Sequence, residues 1–390
     1  MSSLFERESA VLMQTYARSR VTFVSGEGSW LVDDSGEQYL DFLTGLAVTS
    51  VGHANPAVAA AVADQMGRLV HVSNLYYTEP MVELAEALAA RSGLERVFFS
   101  NDGATANEAA IKLARRFVQE RHGPGRHRII SLLDSFHGRT LATLAATGQP
   151  AKQATFQPLP PGFSQVAPGD IGALETALDD SVAAVMLETT QGEGGVQPLD
   201  ESYLRAVRRL CDESKTLLIV DDVQAGVGRT GSWFSWQQLG FTPDIATTAK
   251  ALANGLPIGV CLANETTAAA FKPGDHATTF GGGPVVCAAA LAVIDEIESR
   301  DLMINCSERS DQLRAMLSDL PGVRGVRGRG LLIAAQLEDN RAGEVARAAL
   351  TDQHLIVNAV RPDSIRLAPP LTVSEAEVAE AISRLAKALH

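Results

Sequence analysis

One acid and one amine define the chemistry this chain could perform. Asp221 closes the apolar run Leu217-Leu218-Ile219-Val220, and Lys250 follows the short segment 244–248 with Ala249 and Ala251 at its sides. A run with no polar face that stops abruptly at Asp221-Asp222 reads as a parallel strand buried on both sides. The carboxyl edge of such a sheet is where ligands bind in open α/β folds. A carboxylate and an amine facing one crevice suit pyridoxal phosphate, whose aldehyde bonds a lysine and whose ring nitrogen is kept protonated by an acid. A buried Asp–Lys ion pair that merely supports the sheet fits the same residues.

Other turns offer partners for that pair. The strand-like 96–100 runs into Asn101-Asp102-Gly103-Ala104, and a helix is expected over 105–119. Strand, glycine turn and helix N-terminus make a cup for an anion, because the first backbone N–H groups are unpaired and the dipole favours negative charge. The same turn could simply join strand to helix. After a strand at 128–133, Ser135-Phe136-His137-Gly138-Arg139-Thr140 supplies an aromatic to stack on a flat ring and an arginine to grip a carboxylate, or else a core phenylalanine and a surface ion pair. The buried run 181–187 ends in Glu188-Thr189-Thr190-Gln191-Gly192-Glu193, whose two glutamates have no spacing that demands a hydrolase-type acid pair. Thr278-Thr279 before three glycines offers hydroxyls to a phosphate or forms a hydroxyl-stabilised turn. Arg366 ends a short strand ahead of Pro369-Pro370, a rigid mount, while Asn74, Leu75 and Tyr76 read as exposed turn residues that could also reach a substrate.

These turns need a scaffold, and the chain is long enough to build one. Its 390 residues, 46% hydrophobic and 20% charged, describe a globular protein of two or three domains. A formal charge of −13 disfavours nucleic acid or an anionic membrane as partner. No stretch of about eighteen apolar residues occurs, and Glu6, Arg7 and Glu8 interrupt any leader-like core, so a cytoplasmic protein is expected. Cys211, Cys261, Cys287 and Cys306 and the eight histidines are dispersed; neither disulfides nor a metal site is expected. Residues 21–41 read as an antiparallel meander, helices are expected over 57–69, 79–91 and 201–213, and the Pro/Gly-rich 141–170 reads as a loop walling the site. Strands alternate with helices from about 96 to 262, which gives an α/β fold with a large, mostly parallel sheet; the remaining short strands and helices make a smaller α+β lobe from both chain ends. The expected divisions are 1–55 for the N-terminal part of that lobe, 56–277 for the large domain and 278–390 for the C-terminal part.

The segments VDDVQAGVGRTG and TTAKALANGLPIG, with the turns above, resemble the class III (ornithine-type) pyridoxal-phosphate aminotransferases over nearly the whole chain. GLAVTSVGHANP, HVSNLYY, SFHGRTLATLAATGQPAKQ and NAVRPDSIRLAPPL look most like the acetylornithine-type members, which serve arginine biosynthesis. The resemblance implies the fold-type I architecture, a homodimer with shared active sites, and ping-pong transfer of the terminal amine of N2-acetylornithine to 2-oxoglutarate, yielding glutamate. Ornithine, succinylornithine, succinyl-diaminopimelate or 4-aminobutyrate as donor, a cofactor-dependent isomerase, and a non-catalytic binding protein remain as alternatives. Residue by residue it implies that Lys250 bonds the cofactor, Asp221 pairs with its ring nitrogen, Val223 supports the ring, Gln224 meets its phenolic oxygen and Phe136 stacks on it. Gly103 and Ala104 would hold the phosphate together with Thr279 of a neighbouring subunit. Substrate would meet Arg139, Arg366, Thr278 and Glu193, the last as a gate. The chain departs from the family pattern at Asp102, where a serine or threonine is usual, at Thr105, where an acid is usual, and at Thr189, Thr190 and Gly283. Asp102 and Thr105 bear on phosphate affinity.

Overall fold

The computed structural model describes residues 4–390; Met1–Ser3, the start of the expected N-terminal segment, lie outside the described residues. A seven-stranded sheet forms the centre, in the order Arg96–Ser100, Gly259–Ala263, Ile245–Thr248, Leu217–Asp221, Val182–Leu187, Arg128–Leu132 and Phe163–Val166. Gly259–Ala263 pairs antiparallel with both neighbours, and the other pairings are parallel. Every residue of Val182–Leu187, Leu217–Asp221, Ile245–Thr248 and Gly259–Ala263 is buried, as strands covered on both faces require.

Two cores divide the sheet by the alternation of side chains along a strand. Leu217, Ile219 and Ile245 join Ala110, Ile111, Ala114 and Val118 of the helix Gly103–His122. Leu218, Val220 and Ala246 turn to the opposite core, with Tyr203, Leu204, Val207 and Cys211 of the helix Glu201–Ser214. Continuing the parity, Asp221 and Thr247 fall on the side of Gly103–His122, and the position after Asp221 falls on the other.

The smaller lobe is built from both ends of the chain. Phe23–Glu27, Trp30–Asp33 and Gln38–Asp41 form the expected meander, and Leu355–Ile356 extends it by pairing parallel with Leu40 and Asp41. A separate antiparallel sheet runs Val323–Arg329, Leu332–Leu337, Ser364–Leu367, Asn358–Arg361.

Three features differ from the sequence reading. The segment expected as a loop contains the helices Leu141–Ala146 and Pro150–Ala154 and the edge strand Phe163–Val166; four residues between proline-rich flanks are too few to show an alternating pattern. The helix Ala342–Gln353 was not anticipated either. Thr44, Gly45, Leu46 and Ala47 all have positive φ, from 51° to 73°, so this turn is a left-handed one, rare for non-glycine residues. It is tied down by Asp41, whose Oδ1 accepts from the N–H groups of Leu43 and Thr44, and by Thr44 Oγ1 donating to Ala368 O at 2.7 Å.

Candidate active site

A cavity of about 420 Å³ opens at the carboxyl ends of the central strands. It brings together Gly103 and Ala104, Phe136 and Arg139, Glu193, and the central trio Asp221, Val223 and Gln224 with Lys250. Lys250 stands two residues after the end of Ile245–Thr248 and has φ of 40°, a left-handed conformation that costs a non-glycine residue energy and concentrates at functional sites. Its amine is held below the usual lysine range by burial and by the Arg366 guanidinium, against the pull of Glu193, Asp221 and Glu188. A neutral amine is thereby favoured, which is the form that attacks a carbonyl.

Asp221 is buried and held by three contacts. Its Oδ2 accepts from Asn107 Nδ2 at 2.7 Å and lies 2.8 Å from His137 Nδ1, and its Oδ1 accepts from the Val223 N–H at 3.1 Å. The parity of the strands explains the first contact, since Asp221 and its cross-strand partner Thr247 both face the helix that carries Asn107. Thr247 Oγ1 donates to Asn107 Oδ1 at 2.6 Å and so fixes which way the amide points. His137 Nε2 is buried without a partner among the described residues.

Glu188 has a structural place here. Its two oxygens accept from the N–H groups of Phe136 at 2.9 Å and Gly192 at 3.2 Å, tying together two rim turns. Burial pushes its carboxyl up to about 7, with His137 opposing and Asp221 adding to the rise. Asp222, on the opposite core, is likewise pushed up to about 7 by burial, although Ser235 hydrogen-bonds to it.

The anion cup has the form expected, and its departures explain one another. Asp102 caps the helix Gly103–His122 by accepting from the Thr105 N–H at 2.7 Å, while Thr105 Oγ1 accepts from the Asp102 N–H at 3.0 Å. Acid and hydroxyl have exchanged places within a capping box. The N–H groups of Gly103 and Ala104 then have, by position, no intrahelical carbonyl to bond. A side chain on Gly103 would lie 2.7 Å from Val223 Cγ1, so glycine lets the turn close on the valine.

Arg366 does not line the cavity but sits just behind it, 1% exposed. Its Nη1 donates to Glu193 Oε1 at 2.6 Å and to Gln224 Oε1 at 3.4 Å, its Nε donates to Asn358 Oδ1 at 3.1 Å, and its Nη2 is buried without a partner among the described residues. Arg139 is exposed at the mouth, its guanidinium 5.5 Å from the Phe136 ring centre and without an ion pair among the described residues. Thr278 and Thr279 do not enter this cavity: Thr278 Oγ1 is 3.4 Å from Asn101 Oδ1, and Thr279 is exposed.

Asn107, His137 and Thr247 are the members that residue chemistry alone had not assigned to the site. Asn107 stands between Ala104 and Ala106 on one side and Ala109 and Ala110 on the other, and that is the signal that could have marked it. The set fits pyridoxal phosphate: a lysine shifted toward neutrality, a buried carboxylate held by three N–H groups, a helix N-terminus for the phosphate, and a glycine cradle that any Cβ would fill.

The family model for aminotransferase class-III matches residues 13–389. The acetylornithine aminotransferase of Gloeobacter violaceus is 49% identical over 379 residues, covering 96% of this chain and 94% of the relative. That of Caldanaerobacter subterraneus is 44% identical, with 97% of both chains covered. Among solved structures, the ornithine aminotransferase of Toxoplasma gondii superposes with a TM-score of 0.93 at 31% identity, covering 99% of this chain and 94% of that one. The N-acetylornithine aminotransferase of Stenotrophomonas maltophilia gives 0.84 at 36%, covering 99% and 98%. The chain belongs to the class-III aminotransferases and is a pyridoxal-phosphate-dependent enzyme of that kind.

Proposed function

We propose that this enzyme moves the terminal amino group of N2-acetyl-L-ornithine to 2-oxoglutarate, giving N-acetyl-L-glutamate 5-semialdehyde and L-glutamate, a step of arginine synthesis. The relatives named above, with identities of 44% and 49% over nearly full length, support this donor. The observation that carries the reading is the unequal state of two arginines. Among the described residues Arg139 has no ion pair at the mouth, whereas Arg366 is masked by Glu193 yet keeps one buried N–H-bearing nitrogen without a partner. Acetylornithine brings one carboxylate and 2-oxoglutarate two, so a site serving both needs one open anchor and one that opens on demand.

Pyridoxal phosphate, when bound, supplies an aldehyde for amine exchange and an electron sink for the carbon that loses its proton. Lys250 would hold the cofactor, and its amine, with its lowered basicity, would be the group to carry a proton at the reacting centre. Asp221, oriented by Asn107 and His137, would keep a ring nitrogen charged. Val223, Phe136 and Gln224, which line the cavity, would hold the cofactor's ring, and Gly103 and Ala104 would offer their N–H groups to its phosphate. Arg139 anchors the donor carboxylate; Glu193 leaves Arg366 when the second carboxylate of 2-oxoglutarate arrives.

The active unit in this reading is a homodimer. Leu75, Tyr76, Tyr77 and Phe280 are strongly exposed, between 68% and 95%, and the second copy of the chain is the partner that covers them. Thr278 and Thr279, which miss their own cavity, then serve the neighbour's substrate and phosphate. A cytoplasmic site of action accords with four buried free thiols at Cys211, Cys261, Cys287 and Cys306. Turnover of a panel of amine donors with 2-oxoglutarate, glutamate being measured, tests the assignment. Acetylornithine should give the highest kcat/KM; preference for ornithine or 4-aminobutyrate would overturn it.

A further inference from the structure

The sheet of the small lobe places Arg327, Ala334, Arg366 and Asn358 in one row. Arg327 pairs with Ala334, Ala334 with Arg366, and Arg366 with Asn358, all antiparallel. Residues paired across such ladders project to one face, so both arginines meet whatever crosses it. What crosses it is the loop that carries Glu193. Arg366 takes the Glu193 carboxylate, and Arg327 Nε donates to Gly195 O at 2.8 Å. From the next strand Arg361 Nε donates to Gly194 O at 3.1 Å, and its Nη2 lies 2.5 Å from Asp134 Oδ1.

The fit around these carbonyls is close. Gly195 has φ of 106°, and a Cβ there would lie 2.9 Å from both Arg327 Nη2 and Arg361 Cγ. Ser364 Oγ, on the strand that also carries Arg366, accepts from Arg327 Nη2 at 3.0 Å, which directs that guanidinium across the sheet. Val196, the next residue, is fully buried in one cluster with Ala334 of the row. Two charge-assisted hydrogen bonds to consecutive carbonyls therefore fix the backbone immediately after Glu193.

We propose that Arg327 and Arg361 are positioning residues that hold Glu193 against Arg366, and so set how firmly the second carboxylate site is closed. This rests on the gating reading of Arg366 given above. Loosening the clamp lowers the cost of withdrawing Glu193, which favours dicarboxylates over monocarboxylates. A merely electrostatic role predicts the reverse, because losing a cation near the cavity weakens dicarboxylate binding.

The test uses the cofactor-loaded enzyme and two unreactive probes, glutarate with two carboxylates and valerate with one, their affinities measured by calorimetry. Glu193→Gln should raise the glutarate-to-valerate ratio about tenfold, and Arg327→Met or Arg361→Met should raise it about three- to tenfold. Added to Glu193→Gln, either arginine change should do nothing more. Arg327→Lys and Arg361→Lys, which keep one donor, should give intermediate ratios and serve where a methionine variant does not fold. An unchanged or lowered ratio in the arginine variants, or an equal effect with and without Glu193, overturns the clamp alone. No effect of Glu193→Gln overturns the gate and the clamp with it.

Discussion

Asn107 Nδ2 lies 2.7 Å from Asp221 Oδ2 and 2.7 Å from His137 O, so one amide binds the acid and the backbone of the histidine that binds the same acid. Replacing it by leucine leaves Asp221 with two donors and orphans the Thr247 hydroxyl and the His137 carbonyl. A hydrogen bond to a charged group contributes about 1.5–3 kcal/mol, so kcat/KM of Asn107→Leu should fall about ten- to a hundredfold in both half-reactions. Asn107→Asp should do worse, because it sets a second carboxylate against Asp221 in a buried site. Single-turnover rates with each substrate check this; an unimpaired Asn107→Leu would show that Asp221 needs no help.

The two arginines should separate the half-reactions. Arg139→Ala is expected to slow both, since it removes the one anchor that every substrate uses. Arg366→Met should spare the acetylornithine half and damage the 2-oxoglutarate half by about thirtyfold or more, the scale for truncating one member of a buried charged pair. Stopped-flow spectra of each half decide it, and equal losses in both halves for Arg366→Met would refute the division of labour.

Much of this was legible because the strands are buried on both sides. Leu217–Asp221 announces itself as an unbroken apolar run, and the acid at its end marks the sheet edge without any knowledge of the partner strands. The Asn107 contact was not legible, since it depends on which face of the sheet the helix Gly103–His122 covers, and parity is settled only by the assembled layers. The clamp on Gly194 and Gly195 was further out of reach. It joins residues more than a hundred positions apart, and an arginine donating to a backbone carbonyl leaves no complementary charge in the sequence to find.

Asp222 gives a stability prediction with a definite sign. Its folded-state pKa is raised to about 7 from an unfolded value near 3.8, so the native state binds the extra proton between those values. Stability from this group is complete below the lower value and is lost as pH rises through the upper one. Asp222→Asn keeps an acceptor for the Ser235 N–H and removes the charge. The variant should gain on the parent as pH rises from about 4 to about 7, by as much as a few kcal/mol at the top of that window. Thermal unfolding across the range is the measurement; a constant difference between the two proteins would place the titration elsewhere.

The exchange of acid and hydroxyl at Asp102 and Thr105 has opposite consequences for the empty helix and for the loaded one. An anionic N-cap stabilises the helix Gly103–His122 through its dipole, by about 0.3–1 kcal/mol. The same charge stands beside the N–H groups of Gly103 and Ala104, where a phosphate would bring about two more negative charges. Two unit charges about 4 Å apart repel by about 1 kcal/mol in water and more where solvent is displaced. Asp102→Asn preserves an oxygen for the Thr105 N–H and removes the repulsion. Apoenzyme carrying this change should unfold at a slightly lower temperature, yet bind pyridoxal phosphate about three- to thirtyfold more tightly. Because Asp102 is exposed, salt should shrink the difference in affinity. Fluorescence titration of parent and variant apoenzymes at low and high ionic strength measures both effects. Equal affinities at low salt would mean that the carboxylate, turned into its cap, is not felt by the phosphate.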